Sequence, residues 1–549
     1  MALDSPHWQD LVVRKRKECK DKIPHEWTLS AGLLAVPPRL LDHDLPRRSG
    51  LLSELELDLT ENYTATQLLP KLASGQVTSL AVTTAFCKRA AIAQQVTSCL
   101  TETFFAQALD RARYLDEYLA REGKPIGPLH GLPVSIKDTF CVKGLQSSIG
   151  YVSFLKHPPA TANSSLVEML LQLGAVLYVK TNVPQTMMTG DSENNIYGRT
   201  LNPHNTSLTA GGSSGGEGAL LAFRGSILGV GTDIAGSIRI PALCCGLYGF
   251  KPTINRIPFG GQVSGTLDSL PGLVPAAGPL AHSITDLRLF MQSIVGSGGA
   301  WEYDATAVAA PWQDTPPVNG HNGSLTIGVL SEDKYFPLHP PVKRAISRAV
   351  DALTRAGHRI VQVDNQSKDE LSVAYMSRLV YQSLIYGPHE DHLGSSGEPP
   401  VTSVAYLSSP MFSGPFPVDQ EQGPFEKIHG LYLARKNVHD AWRQAWVAQK
   451  LDVILAPGAQ NTAVAHDTYG WPPYTAMWNL LDYPACIIPF GKVSKELDPD
   501  EMSTPYGVQP DYHPEEVDGA PCAIQIITPK FQDEKCLWAA DIIDKALRA

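Results

Sequence analysis

The alternation of short apolar runs with amphipathic helical segments, beginning near residue 131, is the feature that most narrows the folds open to this chain. GLPVSI at 131–136 reads as a buried strand, LVEMLLQLGA at 166–175 as an amphipathic helix closed by Gly174, and AVLYVK at 175–180 as a second buried strand. The pattern returns with TIGVL at 326–330, a proline-started helix at 341–357, HRIVQVD at 358–364 and LDVILAP at 451–457. It runs on through GAPCAIQIITP at 519–529 and the helical KCLWAADIIDKALR at 535–548. Strands of this kind separated by helices define an α/β fold.

Upstream the texture is helical. Residues 64–95 carry apolar side chains at helical spacing, with Thr and Ser available as caps. The expected organisation is a helical N-terminal extension over 1–63 and one large domain over 64–549, with the chemistry concentrated at about 125–300. The stretch 395–425, rich in Pro, Ser and Gly, reads as loop, and neither a dividing linker nor an internal repeat is visible.

Charge and cysteine usage exclude several functions. The net charge is −10, and the RKRK at 14–17 is the one short basic block, so a nucleic-acid partner is not expected and a small molecule is. Nine cysteines form neither a CxxC pair nor a Cys/His set with zinc-ligand spacing, which points to a reducing, cytoplasmic location and to no metal or other cofactor. The N-terminus lacks the continuous apolar stretch of a signal peptide, and no run approaches the roughly 18 apolar residues of a membrane span.

The glycine-rich GGSSGGEG at 211–218 admits three readings. A phosphate-binding P-loop requires a lysine after the last glycine, and none follows. A nucleophile elbow of the GxSxG type should follow a buried strand, whereas NPHNTSLTA at 202–210 is polar and turn-forming. Taken alone, the stretch would read as a flexible loop. Two features outside it change that. A second serine, Ser237, stands in GVGTDIAGSIRIPA at 229–242, and a lysine, Lys137, lies inside the apolar strand GLPVSIKD at 131–138. A lysine in a buried strand is costly unless it faces a polar cluster. A Ser-His-Asp alternative would have to draw on His130, His204 or His282, none of which has a setting that singles it out.

Together GLPVSIKD, GGSSGGEG and GTDIAGSIR resemble the amidase signature family. VKTNVPQTMM, NNIYGRTLNP, GPLAHSITDLRLF, NLLDYPACIIP and GAPCAIQII extend the resemblance, in its fungal acetamidase branch, over nearly the whole chain. The fatty acid amide hydrolases share this core, but the N-terminal span of those enzymes is not expected here. The resemblance implies a single large amidase-signature domain, a central mixed, twisted β-sheet flanked by helices, with Ser237 as nucleophile, Ser213 as a bridging serine with a cis backbone, and Lys137 as the terminal base. It also implies an oxyanion hole from the backbone N–H groups of Ile234, Ala235, Gly236 and Ser237, with Met187 and Thr189 in the acyl-site segment. Ala235 stands where the family pattern has glycine, a hint of altered acyl specificity.

The chemistry implied is hydrolysis of a carboxylic amide through an acyl-enzyme on Ser237, without metal. A serine hydroxyl must lose its proton as it attacks, and Lys137 can accept that proton only as a neutral amine. Lowering a lysine from about 10.4 to near 7 costs about 4 to 5 kcal/mol, which burial can supply. Asp138, beside Lys137, would oppose that shift and is expected to point elsewhere. Asp233 and Arg239 are read as an ion pair or loop-fixing bonds, Ser214 as a maker of loop hydrogen bonds, and Cys244 and Cys245 as packing. An acyltransferase or esterase with the same triad, a catalytically silent binding protein on this scaffold, and a homodimer all remain open.

Overall fold

The apolar runs of the sequence enter one sheet. The computed structural model describes residues 7–35, 38–265, 272–296, 298–314, 324–385, 391–405, 416–504 and 510–549. Its strands are β1 (Leu100–Thr103), β2 (Pro133–Lys137), β3 (Val176–Thr181), β4 (Glu193–Asn194), β5 (Gly198–Arg199), β6 (Leu228–Asp233), β7 (Tyr248–Lys251), β8 (Ala276–Ala281), β9 (Thr326–Leu330), β10 (Arg359–Val363), β11 (Val453–Pro457), β12 (Ala485–Lys492) and β13 (Pro521–Ile527). Eleven of them form a sheet in the order β1-β3-β2-β6-β8-β7-β12-β13-β11-β9-β10, while β4 and β5 pair by themselves. The sheet is mixed: β2 runs parallel to β3 and β6, β9 runs parallel to β10 and β11, and the other neighbours are antiparallel.

Both faces of this sheet are covered, and single strands show it. In β11, Val453 and Leu455 join one apolar cluster, while Ile454 and Ala456 join another. Because side chains alternate between faces, that split means helices pack on both sides. The helical N-terminal region builds onto the first cluster: Leu57 and Leu59 of the helix Glu54–Glu61 share it with Leu68 and Leu72 of the helix Ala65–Ala73. Lys22, just after the helix Trp8–Asp21, reaches Glu102 on β1 at 2.6 Å, and Lys15 pairs with the same carboxylate. The segment read as helical over 64–95 is two helices, Ala65–Ala73 and Ser79–Thr97, separated by a turn. Thr64 and Thr78 cap them, accepting from Gln67 N and Ala81 N at 3.3 and 3.1 Å.

One departure lies in the stretch read as loop at 395–425. It contains the short helix Thr402–Ala405 and the end of the helix His392–Ser396, and its residues 406–415 fall outside those described. Among the described residues no helix is long and apolar enough to cross a membrane.

The site is positioned by a single register. β2 and β6 are parallel neighbours, with Ser135 opposite Gly229 and Ile136 opposite Val230. The C-terminal ends of both strands therefore emerge together, which puts Lys137 beside Thr232 and Asp233. Ligands of open α/β sheets bind outside the carboxyl ends of the strands.

Candidate active site

Lys137 is 1% exposed, and its Nζ lies 2.6 Å from Ser213 Oγ and 2.8 Å from Thr232 Oγ1. Both partners are neutral hydroxyls. Burial pushes the amine down to about 7, against the opposing pull of the Asp233 carboxylate and the pull that Glu217 exerts when ionised. Asp138 does turn away: it accepts from Thr101 Oγ1 (2.8 Å), Ser148 N (3.0 Å) and Ile149 N (2.7 Å) and pairs with Lys180 at 3.2 Å. The lysine after the strand's apolar run thus faces hydroxyls, while the adjacent aspartate is neutralised by a different cation.

Ser213 is 2% exposed, and the peptide bond from Gly212 to it is cis. All eight residues of GGSSGGEG are buried, and the helix Gly215–Ala222 starts within them. The glycines are there for close approach. A Cβ on Gly212 would lie 2.2 Å from the Thr189 carbonyl oxygen, and one on Gly216 would lie 2.3 Å from Asn182 N and 2.5 Å from Cys99 O. Backbone atoms of three other segments therefore clamp the loop. Ser214 N donates to Ser237 O at 3.1 Å, which joins the loop to the turn that carries the second serine.

That turn leaves the end of β6. Ser237, Ile234 and Ala235 are half-buried, and Gly236 is buried. Asp233 organises it from beneath: Oδ1 accepts from Gly236 N at 2.8 Å and Oδ2 from Ile238 N at 3.1 Å. Arg239 donates to the same carboxylate through Nε (3.0 Å) and a terminal nitrogen (2.9 Å), and also to Gln525 Oε1 at 2.8 Å and to Asn479. Burial works against the Asp233 carboxylate, but Arg239, with Lys251 and Asn479, holds it down at about 2. The Gly236 N–H, expected in the oxyanion hole, is committed to Asp233, whose carboxylate is already fixed beneath the turn. The N–H groups of Ile234, Ala235 and Ser237 make no hydrogen bond among the described residues. Ala235 has no positive φ, so its methyl is accommodated without strain, and its carbonyl accepts from Thr475 Oγ1 at 2.6 Å.

Met187 packs half-buried against Ile149, Tyr151 and Phe154, and both it and Thr186 hold positive φ, 58° and 70°. For a β-branched residue such as Thr186 that region is rarely occupied. Thr189 reaches the site through its backbone, whose carbonyl abuts Gly212. Its hydroxyl donates to Asp191 O at 2.9 Å. The histidines go elsewhere: His130 Nδ1 accepts from Ile126 N (3.2 Å), His204 Nε2 meets Cys245 O (3.0 Å), and burial together with Arg224 pushes His282 down to about 3.

Sequence reasoning missed Thr232, Glu217, Thr475, Asn479 and Gln525. Thr232 was within reach, because it stands in the quoted GTDIAGS and in the strand beside β2. Asn479 lies in the quoted NLLDYPACIIP and Gln525 in GAPCAIQII, but nothing local to either marks it as a partner of Arg239.

Comparison with known proteins identifies the family. The amidase family profile matches residues 81–537. An amidase of Gibberella moniliformis is 41% identical over 551 residues, covering 99% of each chain, and an acetamidase of Emericella nidulans is 38% identical over 556 residues, covering 98% of each. The solved structure of a fatty acid amide hydrolase superposes with a TM-score of 0.86 at 30% identity, covering 99% of this chain and 95% of that one. The chain belongs to the amidase signature family, whose hydrolases act on amides. It is an amidase acting on the carbon–nitrogen bond of linear amides.

Proposed function

We propose that this enzyme hydrolyses a carboxylic amide to the acid and ammonia or an amine through an acyl-enzyme on Ser237, with protons relayed by Ser213 and Lys137. The observation that carries the reading is the buried Lys137 amine, 2.6 Å from Ser213 Oγ and lowered to about 7. As a neutral amine, Nζ donates to Thr232 Oγ1 and keeps its lone pair for the Ser213 hydroxyl hydrogen. Ser237 Oγ attacks the amide carbon; its proton passes to Ser213, whose own proton passes to Lys137. The oxyanion is met by N–H groups of Ile234, Ala235 and Ser237, preorganised donors worth roughly 3 kcal/mol each. As the tetrahedral intermediate collapses, the relay reverses and protonates the departing nitrogen, so the amine leaves neutral. Water then attacks the Ser237 ester along the same path and releases the acid.

Relatives named acetamidases at 38% and 35% identity favour a small aliphatic amide, and the Ala235 methyl beside the acyl position supports a narrow pocket. All nine cysteines are unpaired, which fits a reducing, cytoplasmic setting. The test is intact-mass analysis after exposure to a fluorophosphonate, followed by a panel of acetamide, benzamide and long-chain amides with and without hydroxylamine. One adduct, lost in Ser237→Ala, with acetamide as the preferred substrate and water as the acceptor, is the expected result; no adduct at Ser237 would refute the reading.

A further inference from the structure

Glu217, the third residue of the helix Gly215–Ala222, is completely buried and takes no part in the relay above. Its carboxyl group sits between strands. Oε2 is 2.6 Å from Ser135 Oγ on β2, and Oε1 is 2.9 Å from Thr181 Oγ1 on β3. β6 makes room for it at Gly229, where a Cβ would lie 2.0 Å from Oε2. Among the described residues it forms no ion pair within 4.0 Å, although Lys137 is near enough to feel it.

Hydroxyl hydrogens on the Ser135 side can be counted. Ser226 Oγ donates to Leu228 O at 3.0 Å, and Ser135 Oγ donates to Ser226 Oγ at 2.9 Å. Ser135 has one hydroxyl hydrogen, and this chain uses it. The short contact between Ser135 and Glu217 then needs its hydrogen from the carboxyl group.

We infer that Glu217 is held as a neutral carboxylic acid, donating from Oε2 to Ser135, and so acts as a positioning residue that keeps an anion away from the Lys137 base. The inference rests on the reading of Lys137 as a neutral base. The surroundings agree with it. Burial pushes Glu217 up to about 8, and an unpaired buried carboxylate is costly. The other titratable groups that face it offer no cationic partner: Tyr178 on β3 donates to Gly225 O at 2.6 Å, burial holds the Cys99 thiol up at about 12, and Asp233 is paired with Arg239. An ionised Glu217 would stabilise the charged form of Lys137 and so take away the lone pair that the relay needs.

Glu217→Gln preserves shape and a donor while removing the acid, so it separates the two protonation states. The expected result is a kcat/KM within about threefold of wild type and an acid limb that does not move. The infrared difference between wild type and Glu217→Gln should contain a protonated-carboxyl band, which shifts in Ser135→Ala because its acceptor is gone. An acid limb displaced to lower pH in Glu217→Gln, or a carboxylate band in place of the acid band, would overturn the inference. If Glu217→Gln does not fold, the Ser135→Ala infrared shift decides: a wild-type acid band that does not respond counts against the inference. The infrared result stands apart from the base reading, which Lys137→Ala tests through turnover.

Discussion

Arg239 and Asp233 form a two-point ion pair directly beneath the turn that carries Ser237, both side chains fully excluded from solvent. Because the same carboxylate holds the Gly236 and Ile238 N–H groups, the arginine steadies the turn through Asp233.

Removing that cation strands a buried anion. Arg239→Ala should cost about 3–5 kcal/mol of stability in a denaturant titration, and Arg239→Lys, which cannot reproduce the two-point contact, should recover only part of it. Losses below about 1 kcal/mol for both variants would mean that the pair does not organise the turn.

Lys137 is predicted to weaken the fold it serves. Its folded value of about 7 lies below the unfolded value of about 10.4, so unfolding takes up a proton between those pH values. Stability therefore rises with pH across that interval, and below pH 7 the full cost of burying the amine is felt. Lys137→Met, inactive as an amidase, should be more stable than wild type at pH 7 by about 1 to 3 kcal/mol, with the difference shrinking toward pH 10. Equal stability across this range would show that the amine is charged and compensated in the folded protein.

The loop 211–218 should tolerate no added methyl where backbone from other segments closes on it. Gly216→Ala places a Cβ against backbone atoms of Asn182 and Cys99, which cannot move alone, and should cost several kcal/mol or prevent folding. Gly32→Ala, with open space around its Cβ, should change the midpoint little or raise it. Similar behaviour of the two in thermal unfolding would contradict the packing described.

These predictions also mark how far the residues could be read before folding. Lys137 was legible because an ionisable side chain ended an apolar run, and Ser213 and Ser237 because their glycine-rich settings stood in order with it. Glu217 was not, since its partners Ser135 and Thr181 come from two separate strands and meet it only across the assembled sheet. The same holds for the sheet order: periodicity identifies a strand but says nothing of its neighbour, and β7 reaches β12 across more than 200 residues. The helix Pro424–Gln449 escaped because its apolar side chains do not gather on one stripe; Phe425, Tyr432 and Val447 are exposed. A motif names the Gly236 N–H without saying where it points; the folded turn aims it at Asp233.

Ala235 offers a direct handle on specificity. Glycine at this position removes the methyl that the proposed reading sets beside the acyl group, so Ala235→Gly should raise the benzamide-to-acetamide ratio of kcat/KM by about tenfold. An unchanged ratio would place the acyl group away from this turn.

In the proposed relay, neutral Lys137 activates Ser237 through Ser213. The pH dependence of fluorophosphonate labelling at Ser237, compared among wild type, Ser213→Ala and Lys137→Ala, tests it most directly. The wild-type rate should rise with pH through a midpoint near 7, and both variants should fall by about 100-fold or more, Lys137→Ala also losing that midpoint. Labelling of Lys137→Ala at the wild-type rate, with the same midpoint, would contradict the account.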